Sequence, residues 1–148
     1  MSVLAENRKA RFDYEISETI EAGVKLLGFE VKSAKAGRMQ LPGSYAIIRG
    51  GEAYLVNATI PAFQPKNAPA DYDPTRARKL LLHKKEIARL AGLLEDKKYL
   101  VPLNARLNHG LIKLELGLGR HRKKSDKREV IKKRAHQREM RGAGETTL

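Results

Sequence analysis

Three clusters of Lys and Arg are the residues of this chain whose types and spacing could do chemistry. The first is Asn7-Arg-Lys-Ala-Arg11, beside Phe12 and Tyr14, and the second is Arg76-Ala-Arg78-Lys79. The third fills the C-terminal segment from Arg120. Cationic side chains bind phosphates and release condensed counterions, and aromatic rings stack on bases. Short charge clusters are often only solvated surface, but three in one chain, one with aromatic neighbours, favour RNA binding.

The C-terminal segment is the most basic part of the chain. From Arg120 to Leu148 it holds eleven Lys or Arg and four Asp or Glu, which is +7 of the total net charge of +13. Its few apolar residues bury too little surface to offset the entropy cost of ordering. An anionic membrane surface is a rival partner, but it requires a helix with a Leu, Phe or Trp face. With three Phe and five Tyr in the chain, structured RNA fits better than single strands.

The patterns that mark an enzyme or a cofactor site are absent from the sequence. There is no Cys and no phosphate-cradling glycine motif, and the four His lack the spacing of metal ligands. Asp71 and Asp73 lie in a Pro-rich stretch, where turn stabilisation explains them better than acid–base catalysis. Gly117 and Gly119 more readily permit a strand bend than hold a cofactor. We therefore expect no enzymatic activity, no cofactor and no metal.

The cellular location is predicted from the same absences. No apolar run approaches the roughly 18 residues of a membrane span, and the N-terminus lacks the features of a signal peptide. The lack of cysteine fits a reducing compartment. We expect a soluble cytoplasmic protein.

The strands that must position the basic clusters are predicted from alternating hydrophobicity. A long strand interrupted by glycines covers residues 14–27, and a hairpin with Gly50-Gly51 at its turn joins residues 44–49 to 52–57. Two further strands, residues 100–107 and 111–118, flank the turn at 108–110.

Two short helices complete the prediction. One covers residues 30–36 and ends at Gly37. The other begins in the run 76–86, and its helical apolar spacing continues to Leu94. A surface loop covers residues 61–74. Five or six strands without a repeat predict a mainly β domain over residues 1–119, with residues 120–148 as a tail. A five-stranded, OB-like closed barrel is the first choice, and an open α+β sheet is the second.

Four sequence blocks occur together in the order typical of one family. They are NRKARFDYEI…EAGVKLLGFEVKSAKAGR, GEAYLVN, DPTRARKLLLHKKEI and DKREVIKKR. On these blocks, from Asn7 to about Arg138, the chain resembles the SsrA-binding protein (small protein B) family. The resemblance implies a non-enzymatic OB-like barrel that binds the tRNA-like part of transfer-messenger RNA (tmRNA) and delivers it to stalled ribosomes for trans-translation. It also implies a tail that is disordered when free and helical in the empty mRNA channel at the decoding centre.

The resemblance assigns roles to individual positions. Glu30 matches an acidic residue tied to RNA binding. Its carboxylate could accept from base or sugar donors, could orient Lys32 or Arg38, or could only support a helix start. Leu90 matches an apolar RNA-contacting position, although its spacing also fits a core residue. Lys123 matches the last lysine of the family's GKK motif.

The candidate set joins the basic clusters to these matches. The predicted RNA-binding residues are Asn7, Arg8, Lys9, Arg11, Tyr14, Glu30, Lys32, Arg38, Arg76, Arg78, Lys79, Leu90 and Lys123. The predicted ribosome-contacting tail residues are Lys124, Asp126, Lys127, Arg128, Ile131 and Lys132. The chain departs from the family at His121, where Gly is usual, and at Ser125, where an aromatic residue or His is common.

The expected partners are tmRNA and the stalled ribosome, with the protein itself a monomer. Two rival functions are a ribosomal OB protein bound permanently to rRNA and a membrane-surface protein that uses its basic tail. The RNA that copurifies with the protein discriminates among the three.

Overall fold

The computed structural model describes residues 2–64, 66, 68–123, 125, 127–129 and 131–135. They form seven strands and three helices, with further helical backbone in the tail. In chain order these are β1 (Ser2–Glu6), α1 (Arg8–Asp13), β2 (Tyr14–Val24), α2 (Gly28–Lys35), β3 (Tyr45–Arg49), β4 (Glu52–Val56), β5 (Arg78–Leu81), α3 (Lys84–Glu95), β6 (Tyr99–Asn108) and β7 (Leu111–His121). The prediction of a mainly β chain with short helices is confirmed. No helix in this described part of the chain has the length and apolar composition needed to cross a membrane.

All seven strands belong to one antiparallel sheet. Their order is β1-β6-β3-β4-β5-β2-β7, and β7 pairs again with β6. The pairings of β6, β3, β4, β5, β2 and β7 therefore form a closed cycle, and β1 is added on the far side of β6. The cycle contains six strands, where the sequence predicted five.

Strand β5 is the additional member and corrects the prediction of a helix through residues 76–86. It pairs with β4 and with the end of β2, and Arg78 and Leu80 are its buried residues. A buried arginine breaks the apolar alternation by which a strand is recognised. The helix α3 begins only at Lys84.

The N-terminal segment is also more regular than the sequence predicted. β1 pairs with β6, and α1 follows at once with Asn7 as its cap: the Asn7 Oδ1 accepts the Ala10 N–H at 3.2 Å. Ala10 packs on Val101 and Leu103 in a small apolar cluster outside the main core. A helix of six residues is too short to be detected from periodicity.

Both tight hairpin turns match the prediction. Gly50 and Gly51 have φ values of 60° and 76°, and His109 and Gly110 have φ values of 51° and 78°. Two successive residues with positive φ make a primed turn, whose twist suits a two-residue hairpin. These turns set the registers of β3 with β4 and of β6 with β7.

Gly119 is required by a close approach between strands, rather than by the predicted bend. It lies on β7 opposite the region where the β2 register shifts, between Ile16 and Glu18. A Cβ atom at Gly119 would lie 2.0 Å from the Glu15 carbonyl oxygen. Only glycine lets the two backbones meet at this distance.

The main core is aliphatic. Residues with at most 1% of their surface exposed include Leu41, Leu55, Ile60, Leu80, Leu100, Leu114 and Leu116. α3 adds Ile87 and Leu90 to this core, and α2 adds Ala34. The two helices are thereby fixed against the sheet.

The tail has helical backbone at residues 125, 127–129 and 131–135. The sequence predicted disorder for the tail of the free protein, and the resemblance assigned helical structure to its ribosome-bound form.

Candidate nucleic-acid interface

Glu30 lies in the first turn of α2 and supports the start of that helix. Its Oε1 accepts the Leu27 backbone N–H at 2.8 Å, which satisfies a helix-end donor that has no partner within the helix. The Glu30 side chain is completely buried. Of the roles that the sequence left open, the structure supports the helix-start role, and it leaves no surface for direct contact with RNA.

The same carboxylate binds three side chains from outside α2. Arg78 donates from Nε at 2.8 Å, Arg76 donates from Nε at 3.1 Å, and the Tyr72 hydroxyl donates at 2.9 Å, all to Oε2. Arg76 Nη2 also donates to Oε1. These partners are not Lys32 or Arg38, the neighbours that the sequence suggested.

The balance of these contacts keeps Glu30 ionised. Burial alone raises the pKa of Glu30, but the hydrogen bonds from Arg76, the Leu27 N–H, Arg78 and Tyr72 outweigh it and hold the pKa below its ordinary value. The pKa of Tyr72 moves upward because of its burial and its hydrogen bond to the carboxylate.

Arg78 is a structural residue and not the predicted RNA contact. Its side chain is completely buried. Besides Glu30, its guanidinium donates to the Ala58 carbonyl at 2.7 Å and to the Pro74 carbonyl at 2.8 Å. It thereby ties both ends of the segment between β4 and β5 to α2.

Asn7 and Leu90 are two further predicted contacts that the fold buries. The Asn7 amide donates to the Pro102 carbonyl at 2.9 Å while its oxygen caps α1. Leu90 is 0% exposed and belongs to the main core. The capping pattern and the helical spacing were the sequence signals for these structural roles.

The other three predicted residues of the first cluster lie on the surface of α1. Arg8, Lys9 and Arg11 are exposed. Arg8 pairs with Glu6 at 3.5 Å, and Arg11 reaches the Glu115 carboxylate on β7 at 3.7 Å. Long exposed pairs of this kind contribute little to stability, so these guanidinium groups can exchange partners for a phosphate.

The remaining basic candidates lie on or close to α2 and β5 and reach solvent. Arg76 is 31% exposed while it binds Glu30, and Lys32 is exposed on α2. Arg38 donates to the Phe63 carbonyl at 3.1 Å and stands over the Phe63 ring at 5.3 Å. Lys79 pairs with Glu52 at 3.0 Å on β4. Glu30 therefore fixes the orientation of Arg76, whose side chain reaches the surface.

Tyr14 is part of an aromatic group that the sequence did not reveal. Its ring centre lies 5.6 Å from that of Tyr99 and 5.0 Å from that of His121. The strand register brings them together, because Tyr14 pairs with His121 and Tyr99 pairs with Gly119. Burial is the main reason that the pKa of Tyr14 is raised. Tyr99 is 46% exposed and offers a ring face for stacking.

The predicted tail residues continue from this aromatic group. The predicted RNA contact Lys123 is exposed, and so are the predicted tail residues Arg128, Ile131 and Lys132. Lys127 is half-buried and pairs with Asp13 at 3.0 Å. Lys124 and Asp126 lie outside the described residues.

We divide the candidates that reach solvent into two sets. The α1 surface consists of Arg8, Lys9, Arg11, Tyr14, Tyr99, His121 and Lys123. The α2 surface consists of Lys32 and Arg38, on and after α2, together with Arg76 and Lys79, before and on β5. No group of three or more His, Asp or Glu is arranged to hold a metal within the described ranges. Cations around aromatic rings can bind phosphate and stack on bases, which is the chemistry of RNA binding.

Comparison with known proteins covers almost the whole chain. The family model described as SmpB protein matches residues 4–145. The chain is 50% identical to the SsrA-binding protein of Thermosynechococcus vestitus, over 97% of this chain and 95% of that protein. It is 48% identical to the SsrA-binding protein of Synechococcus elongatus, over 97% of this chain and 94% of that protein.

A solved structure is similar in fold as well as in sequence. One chain of the structure described as "tmRNA-SmpB: a journey to the center of the bacterial ribosome" superposes with a TM-score of 0.67 and 47% identity. The match covers 85% of this chain and 92% of that one.

Proposed function

The chain belongs to the SmpB protein family, and from this we propose that it binds the tRNA-like part of tmRNA and delivers it to stalled ribosomes for trans-translation. The observation that carries the proposal is the extent of the family match, which includes both the sheet and the basic tail. A rescue factor needs both parts, one to hold the RNA and one to occupy the ribosome. The protein acts in the cytoplasm, as a monomer, and performs no chemical step itself.

The folded part takes the form of an OB-like closed barrel in this proposal. The closed cycle of strand pairings supports that form. The α1 and α2 surfaces hold the RNA through phosphate contacts from exposed cations, and Tyr14 and Tyr99 add stacking.

Glu30 acts indirectly on RNA binding. A buried carboxylate cannot reach a nucleotide, and an exposed one would repel phosphate. Glu30 instead fixes the start of α2 and the side chain of Arg76, so that the guanidinium meets the RNA in one orientation. A fixed guanidinium loses less entropy on binding than a free one.

The tail stands in for the missing codon–anticodon contact. Lys124, Asp126, Lys127, Arg128, Ile131 and Lys132 belong to the segment that takes helical form in the empty mRNA channel. rRNA around that channel is a dense polyanion, and neutralising it offsets the cost of ordering the tail.

The RNA bound by the full chain tests the proposal. The tagged protein is purified under low salt, and the copurifying RNA is sequenced. We expect one discrete tmRNA species and tight binding to its transcribed tRNA-like fragment, with weaker binding to 5S rRNA as a control. Ribosomal RNA alone would favour a permanent ribosomal protein, and no RNA would overturn the proposal.

A further inference from the structure

A groove lies between β1, α1 and β6. Its volume is about 350 Å³, within the range of roughly 300–1,000 Å³ that ligand pockets occupy. Three guanidinium groups and one carboxylate are part of its lining, which includes Val3 and Glu6 of β1, Arg8 and Arg11 of α1, and Asn104 and Arg106 of β6. The charge of the groove therefore favours an anionic ligand.

The carboxylate of Glu115 on β7 binds two of these arginines, which come from different elements. Arg106 Nη2 donates to Glu115 Oε2 at 2.7 Å, and Arg11 Nη2 lies 3.7 Å from Glu115 Oε1. The side chains of Arg106 and Arg11 are 40% and 53% exposed. One carboxylate thus holds both guanidinium groups together while they still reach solvent.

Asn104 supplies an acceptor to the groove. Asn104 is 7% exposed, and its Nδ2 donates to Glu115 Oε2 at 3.0 Å. Because a carboxylate only accepts hydrogen bonds, the amide nitrogen faces Glu115 on β7, and the amide oxygen turns to the other side of β6, where β1 pairs with it. In the part of the chain that the structure describes, no donor bonds to the Asn104 Oδ1. A buried acceptor without a donor is unfavourable, so a ligand that donates to it gains affinity.

The ion pairs of the α1 arginines can exchange for contacts with a phosphate. Arg8 lies 3.5 Å from Glu6, and Arg11 lies 3.7 Å from Glu115, with both arginine side chains more than half exposed. Long exposed pairs of this kind contribute little to stability. A guanidinium binds a phosphate through two parallel N–H donors, so an RNA phosphodiester is a stronger partner for either arginine.

We propose that the groove is a subsite for an unstacked nucleotide of the tRNA-like part of tmRNA, and that Glu115 is its positioning residue. Arg11 and Arg106 bind the phosphate, and Asn104 Oδ1 accepts from an amino group of the base or from the 2′-hydroxyl. Bases in the loops of a structured RNA can leave the stack, which makes this contact possible. The inference rests on the proposed function and deepens it, since the sequence assigned no RNA contact to Asn104, Arg106 or Glu115.

A unique cysteine at the groove tests where the RNA lies. Because the chain has no Cys, Val3→Cys places a single thiol at the groove, and Ala88→Cys places one on the exposed surface of α3 as a control. Each thiol is coupled to a photoactivatable azide and irradiated with the transcribed tRNA-like fragment of tmRNA, and primer extension maps the crosslinked nucleotides. We expect one discrete site from Val3→Cys and none from Ala88→Cys. Crosslinks from Val3→Cys that are spread along the fragment, or no crosslinks, would overturn the subsite.

Affinity for the same fragment tests the role of Glu115. Glu115→Gln removes the charge that holds the two arginines, and Glu18→Gln is the matched control, since the exposed Glu18 carboxylate binds Arg89 at 2.8 Å. We expect Glu115→Gln to weaken binding by about tenfold, roughly the effect of losing one charged hydrogen bond, although it makes the protein more positive. Glu18→Gln should leave the affinity unchanged or slightly higher. Equal affinities of the two variants would reject the positioning role.

Arg11→Gln shows whether Glu115 acts through the guanidinium groups. Arg11→Gln should lower the affinity and reduce the salt slope of binding by about 1, whereas Glu115→Gln should leave that slope unchanged because every cation remains. The double variant should lose less affinity than the product of the two single effects, and independent effects would contradict positioning. Arg11 is largely exposed, so its substitution and the crosslink still decide on the subsite if Glu115→Gln lowers the melting temperature.

Failure of the subsite is distinguishable from failure of the proposed function. A parent chain that binds the fragment, with no discrete crosslink from Val3→Cys, overturns the subsite alone. A parent chain that does not bind the fragment overturns the proposed function, and the subsite fails with it.

Discussion

Arg78 and Glu30 form an ion pair in which both side chains are completely buried, with Arg78 Nη2 and Glu30 Oε2 2.7 Å apart. The pair joins β5 to α2, and the additional hydrogen bonds from Arg76 and Tyr72 complete it. Taking two charges out of water is costly, so such a pair persists only when the geometry satisfies every donor and acceptor. Removing one member therefore has a large effect.

We expect Glu30→Ala to destabilise the domain by roughly 3–5 kcal/mol, because it leaves the Arg78 charge buried without its partner. Urea unfolding followed by circular dichroism measures the change. Glu21→Ala is the matched control: Glu21 is 63% exposed and pairs with Lys113 at 3.2 Å, and a surface pair of this kind is worth about 0–1 kcal/mol. Equal effects of the two substitutions would show that the buried pair has no special role.

Arg76→Ala separates RNA binding from stability. We expect tmRNA affinity to fall by about tenfold, or about 1.4 kcal/mol. The melting temperature should fall less than in Glu30→Ala, because Arg78 and Tyr72 still bind the carboxylate. Glu30→Ala weakens binding too, although it makes the protein more positive. Lys84→Ala is the control for Arg76→Ala, because Lys84 is exposed on α3 and its substitution removes the same single positive charge. Filter binding at one salt concentration measures the tmRNA affinity of all three variants. If Arg76→Ala and Lys84→Ala bind with equal affinity, the role of Glu30 in orienting Arg76 is rejected.

The buried network explains why the sequence predicted some parts of this fold and not others. The hairpins were predictable because paired residues at Gly50-Gly51 and at His109-Gly110 impose their own turns. β5 was missed because its first inward residue, Arg78, is charged, and only the distant Glu30 makes its burial possible. Because Glu30 is far from Arg78 in the chain, their pairing in the fold leaves no local pattern in the sequence.

The candidate site shows the same limit. The basic clusters of the sequence predicted the cations that reach solvent on both surfaces. Membership of a cluster could not show that Arg76, two residues before Arg78, is partly exposed while Arg78 at the start of β5 is buried. Tyr99 and His121 join Tyr14 only through the registers of β6 and β2 with β7. A pairing between strands that are distant in the chain cannot be read from local sequence.

Stability should depend on pH through Glu30. Although burial raises the pKa of Glu30, its hydrogen bonds lower it more, so the folded pKa lies below the unfolded one. Between the two values the unfolded chain binds more protons, and stability rises with pH. The contribution is complete above the unfolded pKa of about 4.3 and is lost as the pH falls through the lower, folded value. Urea unfolding between neutral and acidic pH measures the free energy of unfolding at each pH. This free energy should therefore change less with pH in Glu30→Gln than in the parent. Equal pH dependence in the two proteins would contradict the lowered pKa of Glu30.

RNA binding should depend strongly on salt. If about five or six phosphates are neutralised on duplex-like RNA, the logarithm of the association constant falls against the logarithm of salt concentration with a slope of roughly −4 to −5. Lys9→Ala on the α1 surface should reduce that slope by about 1, and Lys84→Ala should leave it unchanged. Titrations of the tRNA-like fragment at several salt concentrations supply the slopes. A flat response would exclude the electrostatic account.

Removal of the tail should leave folding and RNA binding intact but abolish rescue. A chain cut after Lys124 loses the contact of Lys127 with Asp13, which is a partly exposed pair, and it loses no member of the main core. We therefore expect its melting temperature to match that of the full chain.

The same truncated chain should bind tmRNA within a few-fold of the parent, because the α1 and α2 surfaces remain and only non-specific attraction is lost. Tagging of stalled chains should fail, since nothing then occupies the mRNA channel. Replacing Asp126, Lys127 and Arg128 together by Ala should give the same separation. Unfolding of the truncated chain would place the tail within the folded domain, and tagging by it would reject the role of the tail in the channel. Because the cut leaves every residue of both surfaces in place, loss of tagging with retained binding can be assigned to the tail alone.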